Sequence, residues 1–363
     1  MTMIPFPLLA AISFISVVLV LIVLHELGHY LAARAFGLKP QAFSVGMGPE
    51  LAGFTDKNGT RWKICPFPLG GYVKFHGEMH PGTGTDEEAS HPDSFARIAR
   101  WKRAVIIFAG PFTNLLICGA LFYGIFATIG YPIMSNRFQQ IVPGSSAERV
   151  GLKSGDRLMA YNGNKYDGRQ DFFRYVKIHP NGSTDLTIDR GGKRVDVKVP
   201  IIGANVSDRF GNHATIGRVG IIFDKTTVRV RDPIRIIGLA AHETRDMFEV
   251  QFTTLGQMVR GERSVDEISG PLRLAKMSGQ QATNGLVPLL VFTAILSCAL
   301  AFMNLLPIPG LDGGYLTLYA IETAIRRDLS KVAFTRAVKT GFACVAVMSV
   351  FAFSNDIRMI FFN

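Results

Sequence analysis

The chain of 363 residues has only four cysteines and no Cys-x-x-Cys pair. That excludes a disulfide framework and a cysteine-built zinc ribbon. Cys118, Cys298 and Cys344 fall in apolar runs and Cys65 in a loop, where thiols read as small buried hydrophobes. Charge is missing over long stretches: none occurs from Ile4 to Leu24, from Ala104 to Met134, or from Leu286 to Leu311. The N-terminal tail has neither Lys nor Arg. It therefore lacks the basic region of a cleaved signal peptide, and the first apolar segment is expected to be retained. Acids are fewer than bases, giving a formal charge of +11. The bases flank apolar runs: Arg97, Arg100, Lys102 and Arg103 around one, and Arg326, Arg327, Lys331, Arg336 and Lys339 around another. Such placement sets membrane orientation, and no nucleic-acid partner is expected.

What is present is apolar residue in clumps, 48% of the chain. Four spans are read, in a lipid bilayer: about Ile4 to Phe36, Ala104 to Met134, Leu286 to Leu311, and about Val332 to Ser354. The fourth is interrupted by Arg336 and Lys339, which must reach for the interface. The basic loops after spans one and three place both termini outside the cytosol. The expected fold is a polytopic α-helical membrane protein with four transmembrane helices, a membrane-associated β-hairpin and a β-rich soluble insert. The parts are 1–135 (spans one and two with the hairpin at about 40–75), 136–224 (the insert), 225–285 (an amphipathic helix and linker) and 286–363 (spans three and four).

Between spans one and two, glycines at 46, 48, 53, 59, 70 and 71 punctuate short apolar stretches, and Asp56-Lys57-Asn58-Gly59 is a turn signal. A hairpin follows, either dipping into the membrane, where protein or water must cover it, or lying in the cytosol. In the insert, Asn162-Gly163 and Gly191-Gly192 predict two further hairpin turns. Ile234, Ile237, Ala241, Thr244, Phe248, Leu255 and Val259 recur at steps of three and four. They predict a helix that lies on the membrane surface or packs on the insert.

The first span carries His25-Glu26-Leu27-Gly28-His29. Residues four apart share a helix face, so both imidazoles can reach one metal ion. Glu26 beside them can act as a base toward water. A cluster of ionisable groups in a lipid-spanning helix is costly and marks a functional site. Two histidines need a third protein ligand at the same depth, and Asp312 is the only acid between Glu267 and Glu322. It follows a helix end broken by Pro307 and Pro309, where freed backbone can face a cavity. As a helix cap at a water interface Asp312 would need no metal, but the orientation puts it in the cytosolic half with His25 and His29. His76 and His80 are the next candidates.

Taken together, His25-Glu26-Leu27-Gly28-His29, the run Asn304-x-x-Pro307-x-Pro309-x-Leu311-Asp312-Gly313 and the insert between them resemble the site-2 protease family of intramembrane zinc metalloproteases. Val142 to Gly163 looks like a PDZ domain, which points to the RseP-like (regulator of sigma-E protease) group with a single PDZ domain. Phe67-Pro68-Leu69-Gly70-Gly71, Ala109-Gly110-Pro111-x-x-Asn114 and Ser269-Gly270-Pro271-Leu272 also match that group.

The resemblance implies one Zn2+ per chain on His25, His29 and Asp312, with Glu26 as general base. Substrate contacts would come from Asn304, from Gly46 and Gly48 in the hairpin, and from Pro307 and Pro309. It implies cleavage of transmembrane protein substrates, anti-sigma factors or signal-peptide remnants among them, at a bacterial inner membrane. The PDZ-like domain would be periplasmic and a place for peptide C-termini. The competing reading is a non-catalytic membrane scaffold with a structural metal. Structural zinc sites are closed by four protein ligands, and only three are found here. A metal transporter would want more intramembrane acids.

Overall fold

The computed structural model describes residues 5–77, 93–207, 213–264 and 268–361; His80 lies outside these. The chain divides into two compact units, residues 1–121 with 269–356, and 122–268 with 357–363.

In the first unit, α1 (Phe6–Ala35) begins after Pro5, a residue suited to a helix start. It ends where Gly37 takes φ +84° and Leu38 N–H returns to Ala33 O, a glycine-terminated Schellman turn. It is followed by β1 (Ala42–Met47), β2 (Ala52–Thr55), β3 (Arg61–Ile64) and β4 (Phe67–Lys74), then α2 (Arg100–Thr128). Later come α6 (Pro271–Asn284), α7 (Leu286–Leu305), α8 (Asp312–Ala324) and α9 (Lys331–Phe361). Four stretches are long and apolar enough to cross a membrane: Phe6–Ala35, Arg100–Thr128, Leu286–Leu305 and Val332–Arg358. Two expected ends are corrected. The second span stops at Thr128 because Tyr131 already belongs to a strand. The third stops at Leu305, since Pro307 and Pro309 cannot continue a helix, and α8 starts afresh at Asp312.

The expected hairpin is a four-stranded sheet in the order β2-β3-β1-β4. The turn at Asp56–Gly59 does join β2 to β3, and the Asp56 carboxylate accepts from the N–H of Asn58 and Thr60. Yet β1 runs parallel to β3 and antiparallel to β4, so it sits inside the sheet. The free edge beside it belongs to β4. Trp62 stacks on Phe43 at 4.6 Å and meets Tyr30 of α1 edge-on at 5.2 Å, fixing the sheet to the helix.

Small residues bring the helices close, as lipid-embedded packing requires. A Cβ on Gly28 would collide with the carbonyl of Ala109 and the hydroxyl of Thr113 on α2. One on Gly279 of α6 would come within 2.7 Å of Ala10 of α1. The start of α6 is held by Asp356 of α9, which accepts from the N–H groups of Gly270, Leu272 and Arg273 and from Arg273 Nε. Both ion-pair side chains are buried.

The second unit contains β5 (Tyr131–Ile141), α3 (Ser146–Arg149), β6 (Arg157–Tyr161), β7 (Asn164–Lys165), α4 (Asp171–Ile178), β8 (Ser183–Arg190), β9 (Lys193–Pro200), β10 (Ile202–Ser207), β11 (His213–Arg218), β12 (Ile221–Val228) and α5 (Pro233–Val259). Its main sheet runs β12-β5-β6-β8-β9, with β7 beside β6, and β10 pairs with β11. Asn162 and Gly163 both take positive φ, as do Gly191 and Gly192. Those are the two-residue hairpin turns the sequence signals, closing Tyr161 on Asn164 and Arg190 on Lys193. Phe138, Leu158, Phe172, Leu186, Ile188 and Val199 form the core.

One face of α5 packs on α4: Arg174 lies 2.5 Å from both Glu243 and Asp246, and Gln257 donates to Ile178 O. The other face leaves Ile234, Ile237, Phe252 and Val259 exposed.

Candidate metal centre

Four helices build the site. His25 and His29 lie on the inner face of α1 and are 7% and 2% exposed. Asp312 is the first residue of α8, where a carboxylate suits the helix N-terminus. His25 Nε2 is 3.1 Å from Asp312 Oδ2, His29 Nε2 is 3.6 Å from Asp312 Oδ1, and the two Nε2 atoms are 3.2 Å apart. Corners of a tetrahedron whose centre lies about 2.05 Å away are about 3.3 Å apart, close to the spacing of the two imidazole nitrogens and of His25 from the nearer carboxylate oxygen.

Chemistry supports the same reading. His29 Nδ1 is 2.8 Å from the carbonyl of Ile106, which can only accept, so Nδ1 carries the proton and Nε2 offers a lone pair. That lone pair faces the carboxylate of Asp312, whose buried Oδ2 has no hydrogen-bond donor among the described residues beyond the nearby His25 Nε2. Acceptors converging on one point call for a cation. The floor is Gly110 of α2: a Cβ there would strike His29 Nε2 and lie 2.8 Å from His25 Nε2. Only glycine leaves the space open. The set of two imidazoles and one carboxylate fits zinc with one position unfilled by protein.

Around these ligands lies a cleft of about 370 Å³ lined by Glu26, Gly70, Gly71, Tyr72, Asn114, Asn304 and Leu311, among others. Glu26 accepts from Val73 N–H at 3.1 Å, so β4 passes directly beside the carboxylate. Asn304, near the end of α7, reaches the cleft as expected. Four expected substrate residues do not line it. Gly46 lies at an irregularity of β1, inside the sheet, and Gly48 beyond that strand's end. Pro307 and Pro309 shape the break between α7 and α8, and Pro309 is pressed by Gly341 of α9. His76 is engaged by Gln41 through its Nδ1 at 2.8 Å and does not line the cleft.

Sequence reasoning missed three contributions. The edge strand beside the site is β4, and only the pairing of strands distant in sequence reveals it. Gly110 and Asn114 were visible as a motif but had no role until α2 was placed against α1.

A hydrolytic metal centre would have this form: a carboxylate beside an open metal position, in a cleft. The four apolar helices make its bearer a multi-pass membrane protein. Known sequences agree. Residues 13–348 match peptidase family M50, and the chain belongs to that family. It is 36% identical over 359 residues to "Putative zinc metalloprotease Atu1380" of Agrobacterium fabrum, covering 95% of each chain. It is also 36% identical over 360 residues to "Putative zinc metalloprotease R01501" of Rhizobium meliloti, covering 96% of each. A more distant relative is "Putative zinc metalloprotease Cj1068" of Campylobacter jejuni, 32% identical over 357 residues and covering 96% of this chain and 94% of that one.

Proposed function

We propose that this intramembrane zinc metalloprotease holds its ion on His25, His29 and Asp312 and uses Glu26 as general base. The observation that carries the assignment is the convergence of three side chains, the two Nε2 atoms standing 3.2 Å apart with His25 Nε2 3.1 Å from Asp312 Oδ2 and His29 Nε2 3.6 Å from Asp312 Oδ1. Bound zinc supplies Lewis-acid polarisation of the scissile carbonyl and acidifies water. Glu26 takes the proton of the attacking water and passes it to the departing amine. Asn304, on the cleft wall, donates its amide to a substrate carbonyl.

A helical substrate hides its carbonyls and must be extended to be cut. β4 offers the partner for that form. Lys74 O bonds back to Gln41 N toward β1, so by alternation the polar groups of Gly71 and Val73 point to the free edge. Val73 N–H does so, toward Glu26. An incoming strand adds there by β-augmentation.

The second unit is read as a PDZ-like domain on the periplasmic side of a bacterial inner membrane, with both chain termini on that side. Its groove of about 490 Å³ between α4 and the Val219-Gly220-Ile221 turn is the place for a peptide end. The substrates are transmembrane proteins, with anti-sigma factors and signal-peptide remnants as the classes to examine. The exposed apolar stripe of α5 suits a membrane surface.

Cleavage of a membrane-anchored reporter in proteoliposomes tests the central assignment. The native chain should cut it, chelation should stop it, and Glu26→Gln should be inactive while keeping about one zinc per chain, since it removes a base and no ligand. Turnover by Glu26→Gln at neutral pH would remove Glu26 from its role.

A further inference from the structure

We infer that Asn114 is a positioning residue of the metal centre, its side-chain oxygen accepting the Nδ1–H of His25 and so turning Nε2 of that ring toward the ion. This rests on reading His25, His29 and Asp312 as the zinc ligands.

The inference begins with the spacing on α2. Ile106, Gly110 and Asn114 are four apart and share one face, which lies against α1 at the level of the two histidines. The first member fixes His29 through its carbonyl. The second leaves room at the ligand atoms. The third meets the other histidine: the Asn114 amide is 3.3 Å from His25 Nδ1. Asn114 is 1% exposed, and Ser297 of α7 donates to its backbone carbonyl at 2.8 Å, so the residue is fixed in place.

The amide stands with Nδ2 toward the ring, while Oδ1 is buried with no hydrogen-bond partner among the described residues. Nothing but the ring's tautomer therefore selects which end of the amide faces His25. With Nδ2 donating, Nδ1 of His25 must hold a lone pair, and the proton must sit on Nε2. It would then occupy the direction in which Nε2 faces His29 Nε2 and Asp312 Oδ2. A zinc ligand cannot carry a proton there. When Nε2 binds the ion, Nδ1 carries the proton and requires an acceptor. The two ends of a carboxamide have nearly the same shape, so turning it over brings Oδ1 to Nδ1 without displacing neighbours. Both imidazoles then donate Nδ1–H to an oxygen of α2, a carbonyl for His29 and a carboxamide for His25. Such partners of metal-bound histidines orient the ring and raise its basicity, and removing one typically weakens metal binding about 10- to 100-fold.

Zinc affinity decides the matter, measured by competition with a chelating dye on the full-length detergent-purified protein. Asn114→Leu, which is similar in size and cannot accept, should bind zinc about 10- to 100-fold more weakly. Asn114→Asp, which keeps an acceptor and loses the amide donor, should bind as tightly as the native chain or more so. Equal affinity in Asn114→Leu would overturn the inference. So would weakening in Asn114→Asp, since an N–H donor would then be the operative group. The Asp variant alone decides if the Leu variant does not fold. A native chain without zinc would refute the ligand reading itself, a different outcome from failure of either variant.

Discussion

At the residue scale the proposed chemistry depends on two imidazoles and a carboxylate brought to one point. Asp312 tests this most directly. Asp312→Ala removes one of the three proposed ligands, so zinc and activity should both be lost, as elemental analysis of the purified protein would show. Retained zinc would mean that another side chain completes the site. His25, Glu26 and His29 were legible because a helix turns a spacing of four into a shared face. Asp312 was legible from its isolation and from the order of the spans. Asn114 was not, because a hydrogen bond between helices has no spacing to betray it. Asp356 was missed similarly. An acid near the end of an apolar run looks like a boundary until the backbone N–H groups it accepts from, at Gly270, Leu272 and Arg273, are seen.

At the scale of elements, the sheet beside the site departs furthest from expectation. Glycines and one turn announced a hairpin between 40 and 75, and the β2–β3 turn is where it should be. The parallel pairing of β1 with β3 could not be read, because parallel partners are joined by no local turn. That pairing moves the free edge to β4. Strand addition at this edge makes a periodic prediction. A cysteine replacing Tyr72, a residue of the cleft wall, should cross-link to alternate positions of a substrate carrying single cysteines near the cut. Cross-linking at every third or fourth position would mean a helical substrate and no strand addition.

A second element-level prediction concerns α4 and α5. Asp246 is pushed up to about 7 by burial, by its hydrogen bond to Asp171 and by that neighbour's charge. Arg174 acts in the opposite sense, and Glu243, itself raised by burial, adds a like charge. His242, beside both aspartates, is lowered by its own burial and by Arg169. A carboxyl whose folded pKa lies above its unfolded value binds its proton more tightly when folded. Its contribution is therefore fully present below about pH 3.8 and is lost progressively as pH rises to about 7. Amide exchange along Pro233–Val259 should accelerate, beyond the intrinsic dependence, as pH passes from about 4 to about 7. Asp246→Asn should flatten that rise.

At the scale of the whole chain, a desolvated ion pair ties together helices far apart in sequence. The Arg273–Asp356 pair joins the start of α6 to the end of α9, with side chains 2% and 0% exposed. Breaking such a pair on one side leaves a buried charge alone, which typically costs about 3–5 kcal/mol. Asp356→Ala should lower the thermal midpoint in detergent markedly. Replacing both residues by leucine should cost less than the single change. A midpoint unmoved by Asp356→Ala would show the pair to be incidental.

The glycine floor has a consequence for traffic. With the backbone of α2 closing one side at Gly110 and α1 holding the two imidazoles, an ion held there would have packed protein behind it. The remaining side is the cleft walled by β4, Asn304 and Leu311, the same opening a peptide must use. On the reading proposed above, metal and substrate would share one doorway. A chain threaded for cutting would also be a stopper, and the enzyme would be hardest to strip of its metal while at work.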